Sequence, residues 1–175
     1  MSKSHYKTKF LCFCAIMSAL FVALEFASFS PYAPYIEISM SAFPIYLAAI
    51  YFGPAGGAAV ALVGGFLAQL LRYGISYNML YWMAPDILRG LAMGFLFIAF
   101  KKSYRFRFIC IEMVIASLIA TAANTAASFI DAHIFSYPYG VAAAIMVPRV
   151  LFSIATTAIM ACVFIPCHKA LKRIL

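Results

Sequence analysis

Apolar residues run in long blocks along the chain, and short polar or aromatic linkers separate these blocks. An α-helix rises 1.5 Å per residue, so about 20 consecutive apolar residues cross the hydrocarbon core of a bilayer. The blocks predict six spans: Leu11–Phe29, Met40–Phe52, Ala55–Leu71, Met79–Phe100, Phe108–Phe129 and Val141–Pro166. The second block is short and ends at the turn FGPAGG, where glycine and proline predict a break in the helix. We therefore predict an all-α integral membrane protein with a single membrane domain over residues 1–175.

Composition supports this class. Hydrophobic residues make up 66% of the chain and charged residues 10%, and the mean hydropathy is +0.99. Soluble domains are roughly 45–50% apolar and about 25% charged. This chain has too few polar residues to cover an apolar core, which excludes a soluble domain. The five cysteines form no CxxC pair and have no histidine at metal-ligand spacing. We predict neither a metal nor a cofactor.

Basic residues give the chain a net charge of +8, a balance that would suit nucleic acid, but their placement indicates membrane topology instead. Ten of the thirteen fall at the N-terminus, after the fourth span and at the C-terminus: Lys3, Lys7, Lys9, Lys101, Lys102, Arg105, Arg107, Lys169, Lys172 and Arg173. With six spans these three places share one side of the membrane. The positive-inside rule makes that side cytoplasmic, with both termini there, and the basic residues then meet lipid headgroups rather than nucleic acid.

A polar stripe crosses the fourth span. Asn78, Trp82, Asp86 and Arg89 are spaced by four, four and three residues, which places them on one face of a helix. An Asp or Arg at the centre of a spanning helix costs roughly 2.5–3.5 kcal/mol on insertion scales, so such residues face the bundle interior or water. Two interpretations are open: an ion pair that pins two helices, or a site that holds a polar solute.

Polar residues on other spans favour the second interpretation. Glu25, Asn124 and Arg149 lie on three further helices, and Glu25 and Arg149 lie in the same outer half as Trp82 and Asp86, beneath tyrosine-rich outer linkers. The predicted substrate-binding residues are Glu25, Tyr77, Asn78, Trp82, Asp86, Arg89, Asn124 and Arg149. Glu112 lies near the opposite end of the fifth span, where a structural role is expected.

Small residues line another face of the first span. Ala15, Ala19 and Ala23 recur every four residues, a spacing that lets helices approach closely in lipid. This face points away from Glu25, so we predict that it docks a partner. Close packing within the chain is the alternative.

Four segments of the chain carry a further signal: AIMSA (15–19), FPIYLAAIYFGPAGGAAVALVGG (43–65), RGLAMGFLF (89–97) and VPRVLFSIATTAIMACVFIP (147–166). In this order, with six spans and cytoplasmic ends, they resemble the substrate-binding S components of energy-coupling factor (ECF) vitamin transporters, nearest to the folate-type group. The resemblance implies a high-affinity vitamin-binding subunit in a prokaryotic cell membrane. It also implies that the alanine face docks on a transmembrane coupling subunit, and that two cytoplasmic ATPases drive the cycle. The chain has no G-x-x-x-x-G-K-[ST] loop, so we expect it not to be an enzyme and ATP hydrolysis to occur on partner subunits.

The substrate is left open by departures from the folate-type pattern. An arginine expected late in the first helix is absent, and Glu25 lies in that region. Because folate is a dianion, a pocket with Glu25, Asp86, Arg89 and Arg149 suits a zwitterionic or weakly charged molecule better. The predicted substrate is a B-vitamin or related micronutrient, with a pyridoxine-like vitamin, another B-vitamin precursor and a folate-type vitamin as the candidates. The alternative functions are a structural or assembly protein without a ligand, which predicts no cavity, and a small stand-alone carrier.

Overall fold

A computed structural model of the chain describes residues 3–32, 36–76, 78–101, 103–136 and 138–171. In chain order its elements are α1 (Lys3–Phe26), β1 (Phe29–Tyr32), β2 (Ile36–Ile38), α2 (Ala42–Tyr73), α3 (Met79–Ala99), α4 (Phe106–Ile134) and α5 (Tyr139–Leu171). Five helices in these ranges are long and apolar enough to cross a membrane. The prediction of a helical membrane protein is confirmed in this form, whereas the prediction of six spans is not. The connection between α1 and α2 contains a short antiparallel hairpin, with Phe29 opposite Ile38.

The second and third predicted spans belong to one helical element, α2, which is broken inside. Gly53 has φ 73° and ψ −167°, a conformation that glycine adopts readily, and Pro54 follows it. A Cβ built on Gly56 would lie 2.7 Å from the carbonyl oxygen of Ala48, eight residues earlier. A straight helix separates such residues by about 12 Å, so α2 folds back on itself at the predicted turn.

Aromatic side chains gather several chain segments at one end of the bundle. The ring of Tyr6 lies 6.0 Å from that of Phe52, and the ring of Tyr104 stacks 4.6 Å from His168. The hydroxyl of Tyr51 lies 2.7 Å from Nδ1 of His168. The start of α1, the break in α2, the α3–α4 linker and the end of α5 therefore lie together. This agrees with the expectation that the three basic regions share one side, and the assignment of that side to the cytoplasm stays a prediction.

The second part of α2 and α3 are in backbone contact. A Cβ added to Gly90 would lie 2.5 Å from the carbonyl carbon of Gly57, and one added to Gly94 would lie 2.4 Å from the nitrogen of Pro54. No side chain fits at either position. Close approach of this kind is typical of helices that pack through small residues in lipid. This contact sets how α3 packs on α2, and with it the direction in which the polar stripe of α3 faces.

We expect Gly90→Ala to lower the thermal unfolding midpoint of the purified protein in detergent. The added methyl group would overlap the backbone at Gly57, and overpacking of this kind costs roughly 1–3 kcal/mol. Gly65→Ala is the matched control, since a Cβ there meets only the Cγ atom of Met83, at 3.8 Å. The control should be neutral or slightly stabilising, because alanine favours a helix over glycine by about 1 kcal/mol. Equal midpoints for the two variants would contradict the close packing of α2 on α3.

Candidate functional site

A cavity of about 550 Å³ lies between the helices at the end of the bundle opposite the aromatic cluster. Seven of the eight predicted substrate-binding residues line it: Glu25, Asn78, Trp82, Asp86, Arg89, Asn124 and Arg149. The eighth, Tyr77, lies outside the described residues. The structure thus brings the predicted residues together from four helices and the turn before α3. Their role in binding a substrate stays a prediction.

Asp86 and Arg89 form an ion pair on one face of α3. Nη1 of Arg89 donates to Oδ1 of Asp86 at 2.6 Å, and the Arg89 side chain is only 14% exposed. Their spacing of three residues places both groups on the cavity side of the helix. Charges this deep are stabilised only when they are paired, because the pair replaces part of the lost hydration. Each group neutralises the other while still lining the cavity.

A second ion pair lies at the rim of the cavity and joins α1 to the end of α2. Nη1 of Arg72 lies 3.6 Å from Oε1 of Glu25. Nη2 of Arg72 also donates to the Glu25 carbonyl at 3.2 Å and to the Ser28 hydroxyl at 3.1 Å. The other carboxylate oxygen of Glu25 accepts a hydrogen bond from Ser39 at 3.1 Å. This network ties both ends of the α1–α2 connection to α2.

Arg149 reaches the cavity from α5. Its Nη1 donates to the hydroxyl of Ser128 at 3.0 Å, and that hydroxyl donates to the carbonyl of Asn124 at 2.9 Å. A single serine thus links the predicted arginine to the α4 turn that carries Asn124. Both residues line the cavity, which gives it amide and guanidinium groups suited to carbonyl and hydroxyl partners on a solute.

Hydroxyl side chains cover the deeper wall between α4 and α5. The Ser117 and Ser153 hydroxyls are 2.6 Å apart, and Thr121 donates to the Ser153 hydroxyl at 2.8 Å. Thr157 donates to the Ser153 carbonyl at 2.7 Å. Tyr46 from α2, 1% exposed, lines the same cavity and donates to the carbonyl of Met113. The wall is polar, and hydrogen bonds between α4 and α5 hold its hydroxyls in place.

Several of these residues were missed by the sequence analysis. Arg72 follows the predicted span Ala55–Leu71, and Asp131 follows the predicted span Phe108–Phe129, so the predicted bounds place both residues in linkers. The structure extends α4 to Ile134, and Asp131 on this last part accepts a hydrogen bond from Tyr81. Both residues lie within two positions of the end of an apolar block, so predicted helices extended by two residues would have included them.

The charged side chains that line the cavity, counted over the described residues, sum to zero. Among the described residues the acidic members are Glu25, Asp86 and Asp131, and the basic members are Arg72, Arg89 and Arg149. Three negative and three positive groups leave no net charge. A multiply charged anion would find no excess of positive charge there, whereas a neutral molecule with many hydrogen-bonding groups would be well matched.

Glu112 does not line the cavity. It is fully buried in α4, and neither carboxylate oxygen has a hydrogen-bond partner among the described residues. An ionised carboxylate without a partner is very unfavourable in an apolar interior, so the neutral acid is the form that fits there. No group of three or more His, Cys, Asp or Glu side chains that could hold a metal ion occurs in the described ranges.

The alanine face of α1 lies on the outside of the bundle. Ala15, Ala19 and Ala23 are all exposed, while Phe21 of the same helix is buried. This placement agrees with the expectation that the face points away from Glu25. It leaves the predicted docking role untested.

The structure is that of a helical membrane protein with a polar cavity between its helices. The family model described as "ECF-type riboflavin transporter, S component" matches residues 5–173, and the chain belongs to this family. The resemblance to ECF S components is thereby confirmed, with a riboflavin-type family model rather than a folate-type one. Comparison with curated proteins finds no significant match.

Two solved structures share the fold. One, titled "Structure and mechanism of the S component of a bacterial ECF transporter", is 25% identical, with a TM-score of 0.67 over 96% of this chain and 98% of that one. The other is the S component for biotin from an ECF-type ABC transporter, which is 14% identical, with a TM-score of 0.61 over 93% and 94% of the two chains. The protein is thus the substrate-binding subunit of an ECF transporter, a transport component rather than an enzyme.

We expect Asp86 and Arg89 to be energetically coupled. Asp86→Ala should destabilise the protein, because it leaves Arg89 buried without this counter-charge. Arg89→Ala should destabilise it too, because Asp86 then lacks the positive charge of Arg89. The double variant should be less destabilised than the sum of the single variants, with a coupling of about 1–3 kcal/mol. Thermal unfolding midpoints of the four proteins in detergent measure this. Additive effects would contradict the ion pair.

Proposed function

We propose that this chain captures riboflavin, or a closely similar neutral vitamin, from outside the cell and delivers it to an ECF module. The observation that carries the proposal is the cavity of about 550 Å³ with no net charge, which lies at the end of the bundle away from the basic regions. Its size falls within the range of roughly 300–1,000 Å³ that is typical of small-molecule sites. If the positive-inside rule holds for this chain, that end faces outward.

The chemistry of the lining supports riboflavin over a pyridoxine-like or a folate-type vitamin. Riboflavin is uncharged, and its tricyclic ring and hydroxylated tail offer both an aromatic surface and many hydrogen-bonding groups. Trp82 supplies an aromatic wall, and Ser117, Ser153 and Asn124 supply polar partners. A pyridoxine-like molecule has a single ring and would leave much of the cavity unfilled. A folate-type dianion is poorly matched to a lining without net charge.

Partners follow from the family. S components associate with the other subunits of an ECF module, and we infer that a transmembrane coupling subunit docks on the face formed by Ala15, Ala19 and Ala23. Two ATPases on the cytoplasmic side then supply the energy. The complex lies in the plasma membrane of a prokaryote. The structure contains a cavity, which disfavours the alternative of a structural protein without a ligand. A stand-alone carrier would differ in supporting uptake without these partners.

We predict that riboflavin binds the detergent-purified protein with one-to-one stoichiometry and quenches its tryptophan fluorescence. Trp82 is the sole tryptophan of the chain and lines the cavity, so the signal reports on this site alone. Trp82→Leu should weaken binding roughly two- to tenfold, because aromatic stacking contributes roughly 0.5–1.5 kcal/mol. Trp82→Phe is the matched control, since it retains a ring, and calorimetry can follow both variants.

Pyridoxine, folate and biotin should not compete at equal concentration. If riboflavin fails to bind while one of these vitamins does, the substrate proposal is wrong and the subunit role survives. If none of the four binds and no small molecule is released on denaturation of the purified protein, the proposed binding role is contradicted.

We predict that Ala19→Trp abolishes vitamin uptake by cells that contain the complete ECF module and leaves binding to the isolated subunit intact. The bulky side chain would separate α1 from a docking partner, whereas the cavity lies on the other side of that helix. Ala158→Trp on α5 is the matched control, because it makes the same change at another exposed alanine. Loss of binding together with uptake would show that the alanine face packs within the chain instead.

A further inference from the structure

Two ion pairs hold most of the charge in the cavity. The inner pair, Asp86 with Arg89, is set within α3, and both side chains are mostly buried, 25% and 14% exposed. The rim pair, Glu25 with Arg72, is formed between helices, and its side chains are 22% and 26% exposed. The carboxylates of the two pairs are similarly exposed, and the rim pair differs in that it joins the last turns of α1 and α2, which places it at the rim of the cavity.

The Glu25 carboxylate does more than hold α1 against α2. One oxygen faces Arg72 and the other accepts a hydrogen bond from Ser39, so two partners hold its negative charge at the rim. Together with Asp86 and Asp131 it matches the three arginines of the lining one for one. Without Glu25 the described part of the lining would carry one excess positive charge, and that charge would lie at the rim.

We propose that Glu25 is a specificity-determining residue, which excludes anionic forms of the vitamin by compensating Arg72 at the rim of the cavity. This inference rests on the proposed function and deepens it. The phosphate ester of a vitamin differs from the free vitamin mainly in its negative charge. A lining without excess positive charge therefore binds the free vitamin more tightly than the ester. Opposite charges attract over several ångströms at low effective dielectric. One uncompensated arginine would therefore attract the phosphate group and remove the difference in affinity.

The geometry allows charge to be changed with little change in shape. Glu25→Gln retains a carbonyl oxygen that can accept a hydrogen bond from Arg72 and adds an amide that can donate to Ser39, but it removes one negative charge. Gln at position 72 removes the positive charge. The double variant has neither charge, so the lining returns to zero net charge while both original side chains are gone.

The test measures the affinities of riboflavin and of riboflavin 5′-phosphate for the wild type, Glu25→Gln, Arg72→Gln and the double variant. The readout is the ratio of the two affinities in each protein, because either substitution also touches the binding site. Glu25→Gln should shift the ratio toward the phosphate ester on the order of tenfold, and Arg72→Gln should shift it away. The double variant should return to the wild-type ratio. Raising the salt concentration should shrink both shifts, since the pair is partly exposed.

Ser76→Lys provides an independent arm, because Ser76 lines the cavity and the new lysine adds a positive charge while the Glu25–Arg72 pair stays in place. It should also shift the ratio toward the phosphate ester, which shows that the ratio responds to a positive charge added to the lining. An unchanged ratio in Glu25→Gln would overturn the inference, and a shift in Ser76→Lys beside it would show that the assay was able to detect the change. If the wild type binds riboflavin and the variants leave the affinity ratio unchanged, the proposed function still holds and only the inference about Glu25 fails. Wild-type protein that does not bind riboflavin would overturn both.

Discussion

Charge compensation inside the bundle is the constraint on which the site depends. Bringing Asp86 and Arg89 into a helical bundle requires that each be paired, and the 2.6 Å contact between them satisfies this within one turn of α3. The same requirement brings Arg72 to Glu25 across two helices. The result is a polar cavity whose described charged side chains balance one another.

The position of these charges depends on how α2 is built. The break at Gly53 turns the helix back, so that its second part lies directly against α3, with Gly57 facing Gly90. Two glycines at one contact leave no room for side chains, and the backbones themselves set the distance between the helices. The polar face of α3 is thus oriented by packing on its other side. Hydroxyl groups on α4 and α5 complete the wall without adding charge.

Part of the site could be predicted from the sequence because it is local. Asp86 and Arg89 are three residues apart, so helical geometry alone places them on one face, and the cost of charge in a membrane directs that face inward. Arg72 could not be found in this way, since its partner Glu25 is 47 residues away and the contact exists only after α1 packs on α2. Asp131 was hidden by a span boundary placed five residues too early.

By itself the sequence determined the membrane class, the helical blocks, the break at FGPAGG and the outward face of Ala15, Ala19 and Ala23. These features follow from hydropathy, helical periodicity and the backbone restrictions of glycine and proline, which act over a few residues. Only the tertiary structure decided that the second and third blocks form one folded-back element, and that Arg72 and Asp131 join the cavity. These outcomes depend on contacts between helices, and the energy of such contacts is set by three-dimensional packing rather than by neighbours in the chain.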